Sequence, residues 1–262
     1  MTKAVAVFSV VLFALAFLCP LLGFAIGSAM RRRLPEHHLQ RDVIDVIKLA
    51  MGLMATVVAL TLGLLISSAH SHHAMIEGEY KKIMAYIDHL DQYLGAYGPE
   101  TREIRTHLRH VAARTFKQRW PDEDFGPMGP PSEGGPNRFI DGQRQLVELQ
   151  PTDAAQRWFQ SQALQVSAEL AKLRWLVVSQ ETSTAPLLPV FVLIFLSAIA
   201  IFGGFGLYAP PNPTLFAVLV LPALAIAGAT FLVIELNNPF NGPLQISSRG
   251  AHTLMQSLAK SF

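Results

Sequence analysis

His70, His73 and Glu77 have side chains that could bind a metal ion, at spacings of three and four residues. On a continuous helix they would share one face, and imidazole and carboxylate groups are common zinc ligands. The alternative is a polar, titratable segment at the point where a helix leaves the bilayer. The same histidines could also make a gate respond to pH, because histidine titrates near neutrality.

Glu235, Asn237 and Asn238 lie near the end of an apolar segment. A carboxylate close to lipid is costly unless it is paired, hydrated or protonated. Glu235 would therefore either meet water or a basic residue at the membrane interface, or belong to an ion-coordinating or gating ring in an oligomer. The two asparagines would either line an ion entrance or end the helix.

Small and weakly polar residues recur every three or four positions along a second apolar segment. This stripe consists of Gly52, Thr56, Ala59, Gly63 and Ser67. A face of small residues lets membrane helices approach each other closely. In a ring-shaped oligomer it would instead leave an open lumen. The spacing is compatible with both arrangements, close packing within one chain and the lining of a pore.

Positive charge is concentrated on a third segment, which has helical periodicity and Glu103 as its one acidic residue. Its basic residues are Arg102, Arg105, Arg109, Arg114, Lys117 and Arg119. Facing a vestibule, such a helix would concentrate anions, and facing a membrane it would attract anionic lipid. The third possibility is a solvated face whose charges pair with neighbouring helices.

The groups that most enzyme classes need are missing from the sequence. It contains no phosphate-binding glycine loop, no nucleophile elbow and no histidine–glutamate metalloprotease motif. Cys19 is the single cysteine, which excludes an internal disulfide and a cysteine-based zinc cluster. A net charge of +2 is small for a nucleic-acid partner. We therefore expect a non-enzymatic protein without a cofactor.

The distribution of charge shows which elements must position these residues. Only 15% of the chain is charged, against about a quarter in ordinary domains, and 28 of the 40 charged residues lie within 69–184. A membrane-spanning helix needs about 20 apolar residues. Four segments qualify, at residues 4–30, 43–69, 187–208 and 214–236. The sequence thus predicts a multi-pass protein of the lipid bilayer.

The middle of the chain is predicted to be a helical extramembrane domain at residues 70–185. Apolar residues recur there in alternating steps of four and three, typical of helices that pack along a seam. One such series is Ile76, Tyr80, Ile83, Ile87, Leu90, Leu94 and Tyr97. Residues 121–136 contain five prolines and four glycines, which predicts a mobile loop.

The whole chain is therefore expected to be all-α. Membrane helices 1 and 2 with a basic loop at 31–42 occupy residues 1–69, membrane helices 3 and 4 occupy 186–236, and a tail follows at 237–262. Arg31, Arg32, Arg33 and Arg41 lie in the basic loop. The positive-inside tendency places that loop in the cytoplasm. Residues 70–185 would then lie on the periplasmic side of a bacterial inner membrane.

Six runs of the sequence share one resemblance: residues 42–69, 90–100, 156–157, 174–176, 205–213 and 231–247. In order along the chain, they resemble the bestrophin-like domain family of bacterial membrane proteins. The resemblance implies a remote kinship with the bestrophin anion channels, which are pentamers with four membrane helices per subunit around a hydrophobic pore neck. No run matches that neck or the bestrophin calcium clasp residue by residue. Bestrophins keep their soluble part in the cytosol, whereas the arginine loop here predicts the opposite side.

Two functional hypotheses follow. The first is a passive ion channel formed by a ring of identical subunits and preferring anions, as the resemblance and the basic helix suggest. The second is a non-conducting membrane scaffold or sensor that binds a protein or lipid through its helical extramembrane domain.

Overall fold

The structure, a computed structural model, describes residues 2–33, 41–128, 138–182, 187–208 and 212–260. Within these ranges there are eight α-helices and no strand, which confirms the all-α prediction. The helices are α1 Thr2–Arg31, α2 Arg41–Tyr97, α3 Arg102–Arg119, α4 Arg138–Glu148, α5 Ala154–Thr182, α6 Leu187–Tyr208, α7 Pro213–Leu236 and α8 Arg249–Lys260. A short 3₁₀ helix, Pro99–Thr101, joins α2 to α3.

Four helices are long and apolar enough to cross a membrane, as predicted. The apolar spans are Ser9–Arg31, Ile44–Tyr97, Leu188–Tyr208 and Pro213–Leu236. The second is longer than a membrane span because α2 continues through the apolar seam of the predicted domain without a break. Parts of the predicted connectors lie outside the described residues, namely 34–40 of the basic loop, 129–136 of the Pro/Gly loop and 209–211 of the turn between α6 and α7.

The chain divides into two compact units. The first unit comprises Met1–Ala74 and Thr184–Gln245, and the second comprises Met75–Ser183 and Ile246–Phe262. The segment 237–262, predicted as one tail, is therefore shared between the two units.

Close backbone contact between α1 and α6 organises the first unit. A Cβ added to Gly23 would come within 2.8 Å of the Cα of Ile199, and one added to Gly27 would collide with the carbonyl oxygen of Gly203. Gly206 of α6 lies equally close to the α1 backbone. Small residues at a crossing allow the extensive van der Waals contact that joins helices in lipid.

The second unit packs the latter part of α2 against α3, α4, α5 and α8. Six of the seven residues in the predicted apolar seam of α2 are buried, and Ile83 is half-buried. Gly98, with a φ of 139°, ends α2, and the Thr101 hydroxyl donates to the Leu94 carbonyl at 2.6 Å. Helix α2 therefore ends immediately before Gly98 and Pro99.

The start of the predicted Pro/Gly loop is packed, although the loop was expected to be mobile. Residues 121–128 contain Phe125, whose ring is buried against Phe116 and Trp120 at centroid distances of 5.7 and 6.1 Å. The density of prolines and glycines predicts the absence of a helix, but one aromatic side chain is enough to attach an irregular segment to a core.

We expect Gly27→Ala to destabilise the protein by about 1–3 kcal/mol, because the added methyl group meets the α6 backbone and neither helix can yield locally. Thermal unfolding in detergent, followed by circular dichroism, should show a midpoint lowered by about 2–4 °C per kcal/mol. Gly228→Ala in α7 is the matched control, because its Cβ would meet nothing within 4 Å. Equal midpoints for the two variants would contradict the proposed importance of the crossing.

Candidate functional site

The predicted stripe of small residues on α2 is uncovered. Gly52, Thr56, Ala59, Gly63 and Ser67 are all exposed, and a Cβ on either glycine would meet nothing within 4 Å. The Thr56 hydroxyl donates to the Gly52 carbonyl at 2.9 Å, so this polar group is satisfied within the helix. The stripe is therefore not packed against any of the residues that the structure describes.

A different face of α2 contacts the rest of the first unit. Met51, Val58 and Leu62 are buried in a cluster with Ile194 and Phe202 of α6. Large apolar side chains adjoin the stripe and are also uncovered: Leu49 is 77% exposed and Leu64 is 73% exposed. An apolar surface of this extent suits contact with lipid. The span of α2 thus has a packed face, a lipid-suited face and the small-residue stripe.

Glu235 is buried at the end of α7. It is 2% exposed, and its carboxyl group lies against Gly242, which has a φ of 90°. A side chain at position 242 would occupy the place of the carboxyl group, so glycine is needed there for space as well as for conformation. No described residue hydrogen-bonds to Glu235 Oε2. In the described residues the segment after α7 covers the carboxyl group, so Glu235 is not open to water.

Asn237 and Asn238 end α7. The Asn237 amide donates to the Val233 carbonyl at 2.7 Å, and the Asn238 amide donates to the Ile234 carbonyl at 2.8 Å. The last carbonyls of a helix have no partner within it. Of the two predicted roles, the structure thus favours the end of the helix.

The three residues predicted as metal ligands do not form a metal site. Glu77 pairs with Lys81 at 2.6 Å, and His73 Nε2 lies 3.0 Å from the carbonyl oxygen of Leu244, while His70 is exposed. Across the described ranges, no three His, Cys, Asp or Glu side chains are grouped so that they could hold a metal ion. Helical spacing placed the three residues at related positions, but other partners engage two of the side chains.

The basic residues of α3 are largely engaged within the second unit. Arg105 donates through Nε and Nη2 to the two carboxylate oxygens of Asp91, both at 2.9 Å, and the side chains are only 11% and 4% exposed. Burial lowers the pKa of the neighbouring Arg109 guanidinium, an effect that Asp91 opposes. Two of the predicted basic residues therefore lie within a buried charge network.

The remaining basic residues of α3 differ in their surroundings. Arg114 donates to the Met128 carbonyl at 2.9 Å, and Lys117 donates to the Glu123 carbonyl at 2.7 Å. Arg102 is exposed. The predicted basic face is accordingly a set of structural contacts more than a uniform cationic surface.

A polar cluster that the sequence did not reveal attaches α8 to the end of α3. Glu123 accepts a hydrogen bond from Ser248 at 3.0 Å and lies 2.8 Å from His252 Nε2, and the His252 ring stacks on Phe125. The Trp120 indole also donates to the Ile246 carbonyl at 2.9 Å. About 125 residues separate the partners along the chain, so no local spacing could indicate them.

We expect Glu123→Gln to weaken the attachment of α8 at neutral pH. The hydrogen bonds from His252 and Ser248 hold the pKa of Glu123 below its usual value, with smaller help from the charge of Lys117. A lowered pKa in the folded state stabilises the protein at pH above the usual glutamate pKa of about 4.3. That contribution is lost as the pH falls through the lowered pKa.

Hydrogen exchange of the α8 amides measures this effect. The excess exchange of Glu123→Gln over the native protein should be clear at pH 7 and should shrink as the pH falls below the usual glutamate pKa of about 4.3 and through the lowered pKa. Asp122→Asn, at an exposed neighbouring position, is the matched control and should resemble the native protein. A pH-independent difference would rule out the carboxylate as the source.

Comparison with known proteins places this architecture in a family. The Bestrophin-like domain model matches residues 18–251. Two point variants of a bacterial Bestrophin homolog from Klebsiella pneumoniae are similar in structure, each at 15% identity. The TM-scores are 0.63 and 0.65, and the alignments cover 94% and 93% of this chain and 98% and 97% of the homolog.

A further crystal structure, of a membrane protein, is similar with a TM-score of 0.69 at 14% identity and covers 93% of this chain and 97% of that protein. No curated protein matches the sequence. At these identities the structural matches establish the fold, whereas the family model covers most of the sequence itself. The chain is a membrane protein that belongs to the bestrophin-like family.

Proposed function

We propose that this protein is a passive, anion-preferring ion channel, formed by a ring of identical subunits in which the small-residue stripe of α2 lines the lumen. The observation that carries the proposal is that the stripe is uncovered although α2 packs along another face. The anion preference and the ring, a pentamer by analogy, come from the kinship with bestrophins. The structurally similar bacterial homologs support the comparison at the level of the fold.

The chemistry of α2 distinguishes the stripe from the surface that meets lipid. Leu49, Leu53 and Leu64 lose nothing by facing hydrocarbon, and their exposure in one chain needs no further partner. Gly52 and Gly63 offer little apolar surface to lipid and expose the helix backbone. Such a face is better matched to a neighbouring helix or to a narrow lumen, and no helix of the described chain covers it.

Glu235 is the proposed gating group of this channel. A buried carboxylate oxygen without a hydrogen-bond donor is unfavourable, so an ion or a rearranged segment that supplied a partner to Glu235 Oε2 would lower the free energy of that state. Movement of Gly242 away from Glu235 would uncover the carboxylate. Asn237 and Asn238 would follow, because both are bonded to the last turn of α7.

We also infer that residues 70–185 lie on the periplasmic side of a bacterial inner membrane, because the arginine-rich segment at 31–42 favours the cytoplasm. The access of a membrane-impermeant thiol reagent to a Glu103→Cys variant, in a Cys19→Ser background, measures this sidedness. If that cysteine were labelled only after lysis and not in intact spheroplasts, residues 70–185 would lie in the cytoplasm, contrary to this inference.

Reconstitution into liposomes tests conduction directly. The native protein should support chloride flux, and Ala59→Trp should reduce it at least tenfold because the indole would fill the lumen. Val57→Trp adds the same group on the exposed apolar side of α2, at a position whose helical neighbours are not stripe residues, and should retain flux within about twofold of the native value. The oligomer size of both variants in detergent should equal the native size, so that a loss of flux cannot come from a loss of assembly.

Two results would overturn the channel proposal. The first is the absence of ion movement at every voltage and pH from a correctly assembled native oligomer, which would favour the scaffold hypothesis. The second is an equal effect of the two tryptophans, which would remove α2 from the lumen.

Glu235→Gln separates gating from assembly. Loss of the negative charge should change the open probability in planar bilayers while the oligomer size stays native. Glu169→Gln, at an exposed position of α5, is the control and should leave both unchanged. If conductance, open probability and assembly were all unaltered by Glu235→Gln, this carboxylate would have no part in the channel.

A further inference from the structure

The second unit contains a cavity between α2, α3, α4 and α5. Its volume is about 190 Å³, somewhat larger than an engineered apolar cavity of about 150 Å³ that takes up benzene. Most of the wall is aliphatic: Ile83, Ile87, Leu90, Leu108, Val111 and Leu170. The cavity is partly open, so a ligand can enter it from solvent. The cavity has room for a small apolar group and is too small for a phospholipid.

The polar groups of the wall are neutral or basic. Arg119, Arg174 and His107 line the cavity, and none of the described residues that line it is an aspartate or glutamate. His107 Nε2 is buried, and no described residue hydrogen-bonds to it. Arg174 is exposed, so its guanidinium can meet a ligand from solvent. The combination of an aliphatic wall and exclusively basic charges is complementary to an apolar anion.

We propose that this cavity binds a small amphipathic monocarboxylate, with its alkyl chain among the aliphatic side chains and its carboxylate at the arginines. Guanidinium groups bind carboxylates through paired, charge-assisted hydrogen bonds. The Arg119 guanidinium lies over the Tyr80 ring, 5.9 Å from its centroid, which orients that charge at the edge of the cavity. His107 supplies a further polar group within the wall. This site is independent of ion conduction.

Titration calorimetry with the full chain in lipid nanodiscs tests the proposal, after subtraction of the heat from empty nanodiscs. Octanoate, octanol and octylamine have the same chain length and differ in the charge of the head group. Octanoate should bind saturably at one site per chain and at least tenfold more tightly than octylamine, with octanol between them. Partition into lipid without saturation, or equal affinities for the three compounds, would overturn the proposal.

Gly142→Leu locates the site. Gly142 lines the cavity within α4, and an added Cβ would meet only His107 Cδ2, at 4.0 Å, so the backbone accepts a side chain there. The leucine would occupy ligand space and should weaken octanoate binding at least tenfold without lowering the unfolding temperature. Gly78→Leu, at a helical glycine of the same unit whose Cβ would meet nothing within 4 Å, should bind octanoate like the native protein. Native affinity in Gly142→Leu would exclude this cavity.

Arg174→Gln tests the recognition of charge. The variant should reduce the preference for octanoate over octanol at least fivefold while octanol affinity stays the same. Lys172→Gln, an exposed charge change on the same helix outside the cavity wall, is its control. An unchanged preference in Arg174→Gln would contradict the proposed place of the carboxylate.

Discussion

The structure of the first unit depends on the absence of water in the bilayer core. Backbone groups must be satisfied within each helix, and no hydrophobic force joins one helix to another in hydrocarbon, so association relies on close contact and local polar bonds. The crossing of α1 and α6 meets this requirement through Gly23, Gly27 and Gly203, where backbone rather than side chains is in contact. Any side chain at this crossing would separate the two helices.

Gly52 and Gly63 of α2, unlike the glycines of α1, are not in contact with another described helix. Gly27 and Gly52 are both glycines in apolar helices, but a Cβ on the first would collide with α6 and a Cβ on the second would meet open space. One small-residue face is therefore used within the chain, and the other remains available. A stripe that was needed for folding would be covered by the fold, and its exposure is what favours a role in assembly or conduction.

Local patterns in the sequence predicted the long helices but missed two short ones. The hydropathy of α6 and α7 predicts spans that the structure confirms, and the alternating spacing of Ile76 to Tyr97 predicts the buried side of α2. The helix α4 was not predicted, since its 11 residues follow the Pro/Gly-rich segment and form only three turns. Helix α8 was also not predicted, because it lies in a segment that was expected to be a tail.

The partners of polar residues could not be predicted, because they depend on contacts distant in the sequence. For Glu235 the sequence left water, a basic residue and a gating ring as alternatives, and it did not indicate that Gly242 leaves room for the carboxyl group. For Arg105, pairing with a neighbouring helix was one of the predicted alternatives, but the spacing did not indicate that Asp91 would be the partner. Hydropathy and spacing indicate which residues share a helix face. They do not indicate which side chain of another helix pairs with a charge on that face.

Two basic residues of the second unit, Arg105 and Arg174, differ in how their charge is balanced. Arg105 is satisfied by a buried carboxylate, and removal of either partner would leave an uncompensated charge in a poorly solvated place. Arg174 is exposed beside a cavity whose described wall has no acidic residue. A basic residue of the first class maintains the fold, since its charge is already balanced internally. A basic residue of the second class can bind an anion from solution at little structural cost. Anion binding in the second unit is therefore expected at Arg174 and the cavity rather than along α3.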